Sequence, residues 1–473
     1  ILYYLQYKLK KDYLINKSNA KGLTILAFCA LMLIGANIIH KKMRNINLFE
    51  TTYEPTVTMS KLSPIGYHLN DVVEYLFTKY FYFLNETAEQ DIYSTIQKNQ
   101  YNYRPNSKTG LFHNSNVIIL QIESLENFVI NQKIHDQEIT PFLNKLIQKS
   151  IYCNNFYEQI NNGGSSDADF ILNTSLYPPL KSSAFISYSS NYYRSLAWYL
   201  NQSGYKTIAV KQDKYFFYNW KNAYSNLHYK KCYDREYFKN AEYVNDNITD
   251  SSLFMNFTNI LSNTPQPFMS HISTITSHVP YELPQSFKQL ELLPEENNSI
   301  VGKYFQAINY TDRQIENFFN WLQTQPFYSN TVVILYGDHT SLNRYFSDKK
   351  ESEPNQFKKY FNDVKKVPLI IFSPKSNPEI ISKFCGQIDL MPTILNLLEI
   401  NVRDDNRRLI FGHDIFDDRY NYVISNNKIL GEIPINVEPM KQIRISDLII
   451  KANYFGKFYN FSKSKYYFIE RFL

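Results

Sequence analysis

The chain has 473 residues, enough to bury a large core and, at ordinary domain sizes, to form two or three units. Its formal net charge of +6 is spread along the sequence without a basic helix or a nucleic-acid motif. That argues against a nucleic-acid partner, while an anionic membrane or polymer stays compatible with the charge.

The first residue is Ile rather than Met, so the chain reads as a fragment or a trimmed product. Residues 1–21 read as a cytoplasmic segment, or in part as the end of an earlier span, with Lys8, Lys10, Lys11, Lys17 and Lys21 on that side. From Gly22 to His40 no side chain is charged, and Lys21 and Lys41 bracket the run. Its length suits a transmembrane helix, for which about 17–25 residues are needed, and it is long for a signal-peptide core. The lysines place the N-terminus inside, by a small excess over Lys41, Lys42 and Arg44. Residues 41–110 are polar with short helical patches such as Asp71–Tyr82, and read as a helical connector. Cys29, Cys153, Cys232 and Cys385 are far apart with no Cys-x-x-Cys pair, which speaks against a zinc ribbon or a dense disulfide framework.

From residue 111 to 400 the texture is that of an α/β domain. Short apolar runs at Val117–Leu120, Thr207–Val210, Phe268–Thr274, Thr331–Tyr336 and Val367–Phe372 predict strands. Helical patterns at Ile139–Ser150, Ser195–Gln202, Lys303–Leu322 and Asp389–Leu398 lie between them. Such alternation predicts a mainly parallel sheet flanked by helices, with functional groups just past the carboxyl ends of the strands. Residues 401–473 carry β-like runs at Tyr422–Ser425, Ile443–Ile450 and Tyr466–Ile469, and read as a small β-rich C-terminal portion.

Chemistry gathers at those strand ends. Glu123 follows the first strand, where a bare carboxylate is costly unless it is paired or binds a metal. Asp338-His339 follows Thr331–Tyr336, and Gly337 allows a close backbone approach there. In Gly163-Gly164-Ser165-Ser166-Asp167, two glycines tighten the backbone before a hydroxyl pair, and Asp167 can support the first turn of the next helix. Taken alone that stretch is an ordinary loop and cap. With Glu123, Asp338 and His339, Ser165 becomes the fourth member of a mixed O/N shell suited to Mn²⁺, Mg²⁺ or Zn²⁺, and a candidate nucleophile. His278, in Ser277-His-Val-Pro-Tyr281, can donate to a phosphoryl oxygen or assist a leaving group; taken alone it is a surface His in a proline turn.

Taken together the motifs resemble the lipoteichoic acid synthase family, membrane-anchored phosphoglycerol transferases of the alkaline phosphatase superfamily. The resemblance runs from about residue 65 to 425. It rests on Gly66–Asn70, Gln121–Val129, Glu138–Asn144, Gly163–Phe170, Leu172–Pro178, Ser277–Tyr281, Gly337–His339 and Gln387–Thr393. It implies an alkaline-phosphatase-like fold and one divalent metal, usually manganese, on Glu123, Asp338, His339 and Ser165. It implies that Ser165 stands in for a nucleophilic Thr and that His278 contacts the phosphoglycerol group. The donor would be a phosphatidylglycerol-like membrane lipid and the acceptor a glycolipid or polymer-end hydroxyl. The catalytic domain would lie outside the cell membrane of a bacterium of Gram-positive type. Two departures stand out. Lys211-Gln212 replaces the family's substrate-side His-Gly, and Phe217-Tyr218-Asn219-Trp220 replaces Phe-Trp-Asn-Arg. Lys211 and Tyr218 therefore become the substrate-side candidates, with Lys214 and Lys221 as further cations, while Trp220 cannot supply the bidentate clamp of an Arg. A transferase or phosphodiesterase for another headgroup, such as phosphoethanolamine, and a non-catalytic lipid- or teichoic-acid-binding relative are the alternatives. Sulfatase chemistry is disfavoured, because no Cys/Ser-x-Pro-x-Arg surrounds Ser165.

Overall fold

The computed structural model describes residues 59, 63–68, 72, 86–98, 104–180, 182–215, 217–349, 365–400, 410–433 and 438–456. The chain divides into two compact units, 1–81 and 82–473. In the first, residues 63–68 are helical. The membrane helix expected at 22–40, nearly all of the patch 71–82 and the run Tyr466–Ile469 lie outside the described residues. Among the described residues no helix is long and apolar enough to cross a membrane.

The second unit is built on an eight-stranded sheet. In chain order its strands are β1 (Asn116–Ile122), β2 (Ile151–Cys153), β3 (Lys206–Lys211), β4 (Lys231–Tyr233), β5 (Phe268–Ser273), β6 (Thr331–Gly337), β7 (Leu369–Phe372) and β8 (Glu379–Ile381). Across the sheet they run β8-β2-β7-β6-β1-β5-β3-β4. Only β7 is antiparallel to its neighbours; the other pairings are parallel. The mainly parallel sheet expected from the sequence is thus present. Every residue of β1, β5 and β6 is buried, as central parallel strands covered on both faces require.

The helices used below are α1 (Glu86–Lys98), α2 (Pro141–Ile147), α3 (Ser165–Thr174), α4 (Leu196–Gln202), α5 (Trp220–Asn226), α6 (Asp250–Ser262), α7 (Ile300–Gln323), α8 (Leu390–Leu397) and α9 (Pro439–Lys451). Side chains alternate across a strand, and β1 shows the consequence. Val117 and Ile119 join a core with residues of α3, α4, α8 and α9, whereas Ile118, Leu120 and Ile122 join a second core with α2, α6 and α7. The result is helix, sheet and helix in three layers.

The C-terminal segment departs from expectation. Asn421–Ser425 pairs antiparallel with Lys428–Glu432 as a hairpin, which bears out the run at Tyr422–Ser425. Ile443–Ile450, read as β-like, is instead helical within α9. Pro439 opens that helix in its first turn, and Gln442, Ile443, Ile445, Ser446, Ile449 and Ile450 are buried. That spacing is the 3.6-residue stripe of a helix, so packing outweighs the β preference of its isoleucines. Helix α1 packs on α9, with Lys441 Nζ 3.3 Å from Asp91.

One contact within the second helix layer is sensitive to pH. Asp312, on α7, accepts from the backbone N–H groups of Phe142 and Leu143 at 2.8 and 2.9 Å, so it caps α2 from another helix. Burial pushes its carboxyl up to about 7 even though those two N–H groups pull it down. A raised folded-state pKa means that the protonated form is favoured on folding. Its contribution is therefore present below about pH 4 and is lost as pH rises toward 7. Asp312→Asn is expected to lose less thermal stability than the parent chain between pH 5 and pH 8; parallel melting-temperature curves would contradict this.

Candidate metal centre and nucleophile

Strand register assembles the site. Ile122 of β1 pairs with Gly337 of β6, so Glu123 and Asp338 leave neighbouring strands at the same level. A Cβ at Gly337 would come within 2.1 Å of the Leu125 carbonyl oxygen, which explains the glycine before Asp338. Buried Gln387 donates to the Asp338 carbonyl at 2.6 Å and holds that strand end in place.

Ser165 is the first residue of α3. Gly164 before it has φ 55° and ψ −133°, a backbone conformation essentially confined to glycine. At Gly163 a Cβ would fall 2.1 Å from the Asp167 carboxylate. Asp167 accepts from the N–H groups of Asn161 and Gly163, both at 2.9 Å, so it braces the entering loop. The support expected from Asp167 is directed backward along the chain.

The outcome is a tight cluster. One ligand atom each from Glu123, Asp338 and His339 lies within 4.8 Å of the others, and all three residues are buried. The Ser165 hydroxyl is 3.0 Å from Glu123 Oε2 and 3.2 Å from His339 Nε2. Asp338 Oδ1 accepts from the N–H groups of Ser124 and His339, at 2.8 and 2.7 Å. Its Oδ2 is buried with no hydrogen-bond partner among the described residues. A buried carboxylate oxygen that faces a second carboxylate and an imidazole, and is itself unsatisfied, is what a cation site requires.

Electrostatics agree with that geometry. Burial, reinforced by the neighbouring Glu123 charge, raises the Asp338 carboxyl to about 7. Burial would raise Glu123 as well, but His339 and then His278, with hydrogen bonds from Ser124 and Ser165, hold it below the usual range. Burial works against a charged His339, yet Asp338 and Glu123 outweigh it and raise the imidazole. Two carboxylates and a hydroxyl around one point suit a hard or borderline divalent ion, and the imidazole adds the donor common to zinc and manganese sites.

The other candidates are placed differently. His278 is exposed just past β5; its Nδ1 donates to the Val279 carbonyl at 2.7 Å, and its charge reaches Glu123. Tyr218 is half-buried outside the four-residue cluster, in the turn Phe217–Asn219, with φ 50°. Burial raises its phenol to about 12. Trp220 is buried, and its indole N–H donates to the Lys214 carbonyl at 3.0 Å. Trp220, read from the sequence as standing in for the family's Arg, is therefore part of the core.

Lys211 ends β3 at only 8% exposure, with Nζ 2.5 Å from Asp169 Oδ2. Asp169 also accepts from Tyr224 OH at 2.9 Å, and that hydroxyl is 3.1 Å from His271 Nδ1. His271 Nε2 is 3.2 Å from Gln121 Oε1, and Gln121 Nε2 donates to the Ser165 carbonyl at 3.3 Å. Lys211 thus belongs to a buried polar relay behind Ser165. Sequence reasoning singled out neither Asp169 nor His271. It also missed Asp213, whose carboxyl is raised by burial while it interacts with Lys211, Glu123 and His278. Its place two residues past Lys211, beyond a strand end, was the available signal.

A cluster of two carboxylates and an imidazole that could hold a metal, beside a helix-borne hydroxyl on a doubly covered mainly parallel sheet, is the arrangement of the alkaline phosphatase and sulfatase superfamily. Residues 115–400, more than half of the chain, match the sulfatase family model, and the chain belongs to that family. Within it the chain is lipoteichoic-acid-synthase-like. It is 27% identical over 414 residues to lipoteichoic acid synthase 2 of Bacillus subtilis, covering 86% of this chain and 63% of that protein. It is 32% identical over 323 residues to the lipoteichoic acid synthase of Staphylococcus aureus, covering 67% of this chain and 49% of that protein. The chain thus spans about half to two thirds of the length of these relatives. Among solved structures, the lipoteichoic acid synthase LtaP of Listeria monocytogenes shares the fold with a TM-score of 0.66 at 24% identity, covering 77% of this chain and 97% of that one. An alkaline phosphatase superfamily protein of Vibrio parahaemolyticus does so at 0.59 and 17%, covering 81% of this chain and 99% of that one.

Proposed function

We propose that this chain is a metal-dependent phosphoglycerol transferase that uses Ser165 as its nucleophile. The observation that carries the reading is the Ser165 hydroxyl, 3.0 Å from Glu123 and 3.2 Å from His339, beside the unsatisfied Oδ2 of Asp338. Glu123, Asp338, His339 and the Ser165 oxygen would hold one divalent ion, with Mn²⁺ favoured and Mg²⁺ or Zn²⁺ as alternatives. Such an ion lowers the pKa of a bound hydroxyl and offsets charge on a phosphoryl group. The chain's own residues supply the rest. Glu123 and His339 aim Oγ, Gln121 fixes the Ser165 backbone, and His278 faces the phosphoryl group or the leaving oxygen. Oγ attacks the phosphorus of a phosphatidylglycerol-type lipid, diacylglycerol leaves, and a glycolipid or polymer-end hydroxyl then accepts the phosphoglycerol.

The relatives' names support this donor and acceptor class. The catalytic unit would span 111–400, with 401–473 completing it, outside a cell membrane anchored through 22–40. Another headgroup such as phosphoethanolamine is the second reading, favoured by one observation: Trp220 lies in the core where an Arg clamp would stand. Sulfate-ester hydrolysis gains nothing from the family's name, because the Cys/Ser-x-Pro-x-Arg context is absent around Ser165.

The test is diacylglycerol release from a fluorescent phosphatidylglycerol by the full chain with Mn²⁺. Release should stop with EDTA and return with added metal. In Glu123→Ala, bound metal measured by elemental analysis should fall from about one per chain to near zero. Unchanged metal content would refute the ligand assignment. Metal-loaded protein that releases nothing from this lipid, but acts on phosphatidylethanolamine, would favour the second reading.

A further inference from the structure

Two of the chain's four cysteines are brought together in the core. Cys153 ends β2, and Cys385 opens the short stretch Cys385–Gly386, which pairs in parallel with Phe156–Tyr157. Register sets their approach. β2 and β8 pair at Cys153 and Ile381, and a few residues further along both chains Phe156 pairs with Cys385. The segments between are zipped together. The Asn154 N–H donates to the Ile381 carbonyl at 3.2 Å, Asn155 Nδ2 to the Ser382 carbonyl at 2.8 Å, and the Cys385 N–H to the Asn155 carbonyl at 3.1 Å. Side chains alternate along β2, so Ile151 and Cys153 face the core shared with α3, α8 and α9 while Tyr152 faces the other. Cys385 belongs to the same core as Cys153, and there the two thiols are hydrogen-bonded. Cys232 is remote from both, on β4 at the opposite edge of the sheet.

What such a pair does depends on where the chain folds. A single buried Cys is only a small apolar side chain, whereas two thiols in contact can become one bond. Cys153 and Cys385 are 0% and 3% exposed, so an oxidant does not reach them in the finished fold. The hydrogen bond from Cys153, and then burial, push the Cys385 thiol well above its ordinary range, which suppresses the thiolate that exchange requires. Oxidation therefore belongs to folding, before the core closes. Outside a cell membrane disulfides form and persist, and that is the location proposed above for the catalytic unit.

We infer that Cys153 and Cys385 form a disulfide as the chain folds in an oxidising compartment, and that this bond fastens the segment carrying Gln387 to the sheet. The oxidant is a second disulfide, of a protein or of a small thiol. Both S–H bonds break, one S–S bond forms, and two electrons and two protons pass to the oxidant, which leaves as two thiols. The link closes a loop of about half the chain, and so restricts the unfolded chain strongly. Its position also bears on the candidate metal centre. Gln387 follows Gly386 directly; its Nε2 donates to the Asp338 carbonyl at 2.6 Å and its Oε1 accepts from the Gln159 N–H at 3.0 Å. A Cβ at Gly386 would fall 2.5 Å from Gln159 Oε1, so the cysteine lies next to a segment packed without slack. The inference is independent of the transfer chemistry and uses only the location.

The test uses the full chain, produced in a bacterial membrane, then extracted and denatured in detergent with N-ethylmaleimide present. Its intact mass should show two maleimides, on Cys29 and Cys232, and four only when reduction precedes labelling. Digestion should yield a peptide holding Cys153 linked to one holding Cys385. In a second arm the reduced chain is unfolded in urea and refolded into detergent with oxidised and reduced glutathione. The linked form should melt roughly 5 °C above the same chain refolded with dithiothreitol. Cys153→Ala and, independently, Cys385→Ala should abolish that difference, whereas Cys232→Ala should keep it. Comparing two redox states of each variant separates the bond from the loss of the side chain. Four maleimides in both arms, links through Cys29 or Cys232, or equal melting of the linked and reduced forms would overturn the inference. Four maleimides on the extracted chain, with the Cys153–Cys385 link in the refolded one, would keep the pair and overturn the location outside the membrane.

Discussion

Ser165→Ala is expected to abolish transfer, with kcat lowered by roughly a thousandfold or more, as for removal of other catalytic nucleophiles. The phosphoglycerylated protein should disappear from intact-mass spectra at the same time. The fold should survive. Ser165 opens α3 without capping it, and the turn is held by Gly164 and by Asp167 on the Asn161 and Gly163 N–H groups. The substitution removes hydroxyl contacts to Glu123 and His339 and leaves both side chains in place. Ser165→Thr keeps a hydroxyl at the same helix end and should retain turnover within about tenfold. If Ser165→Ala kept full turnover, the nucleophile would have to be sought elsewhere, and Ser166 would not serve. Its hydroxyl is buried, donating to the Gly163 carbonyl at 2.7 Å and lying 2.8 Å from Ser183 Oγ.

Much of the candidate metal centre is legible in the sequence for a physical reason. Strands covered on both faces are continuous apolar runs, so β1 and β6 show plainly as Val117–Leu120 and Thr331–Tyr336. Whatever polar residue follows such a run stands at a strand end, where Glu123, Asp338 and His339 are found. Three-residue strands such as β2 carry too little periodicity to be seen. α9 is rich in isoleucine and imitates a strand until its buried stripe is known. Pairing is least legible of all. That Asp169 meets Lys211, and that Asp312 caps α2, depends on register and helix packing that no local pattern encodes. Lys211 reads as a substrate-facing cation because its place in the motif is visible and its partner is not.

That partner makes the second large effect a matter of stability. Lys211→Met would leave the Asp169 carboxylate, in a residue 1% exposed, with Tyr224 OH and His271 as its remaining polar neighbours. In the parent chain burial, assisted by the Lys211 charge, lowers the His271 imidazole to about 4, and Lys211→Met removes only the smaller of these two causes, so His271 does not replace the lost positive charge. Breaking one side of a buried ion pair costs about 3–5 kcal/mol, and a comparable loss is expected here by urea denaturation. Asp169→Leu should be similarly costly, because it strands the ammonium. The double variant Lys211→Met with Asp169→Leu removes both charges and should cost clearly less than the two singles added together. Additive losses would mean that the pair is not coupled. The relay through His271 and Gln121 to the Ser165 carbonyl adds a kinetic signature. Folded Lys211→Met protein should bind metal as the parent does and yet turn over more slowly, because the carbonyl that positions the nucleophile has lost its support. Lost metal with normal turnover per bound ion would instead place Lys211 in the metal centre itself.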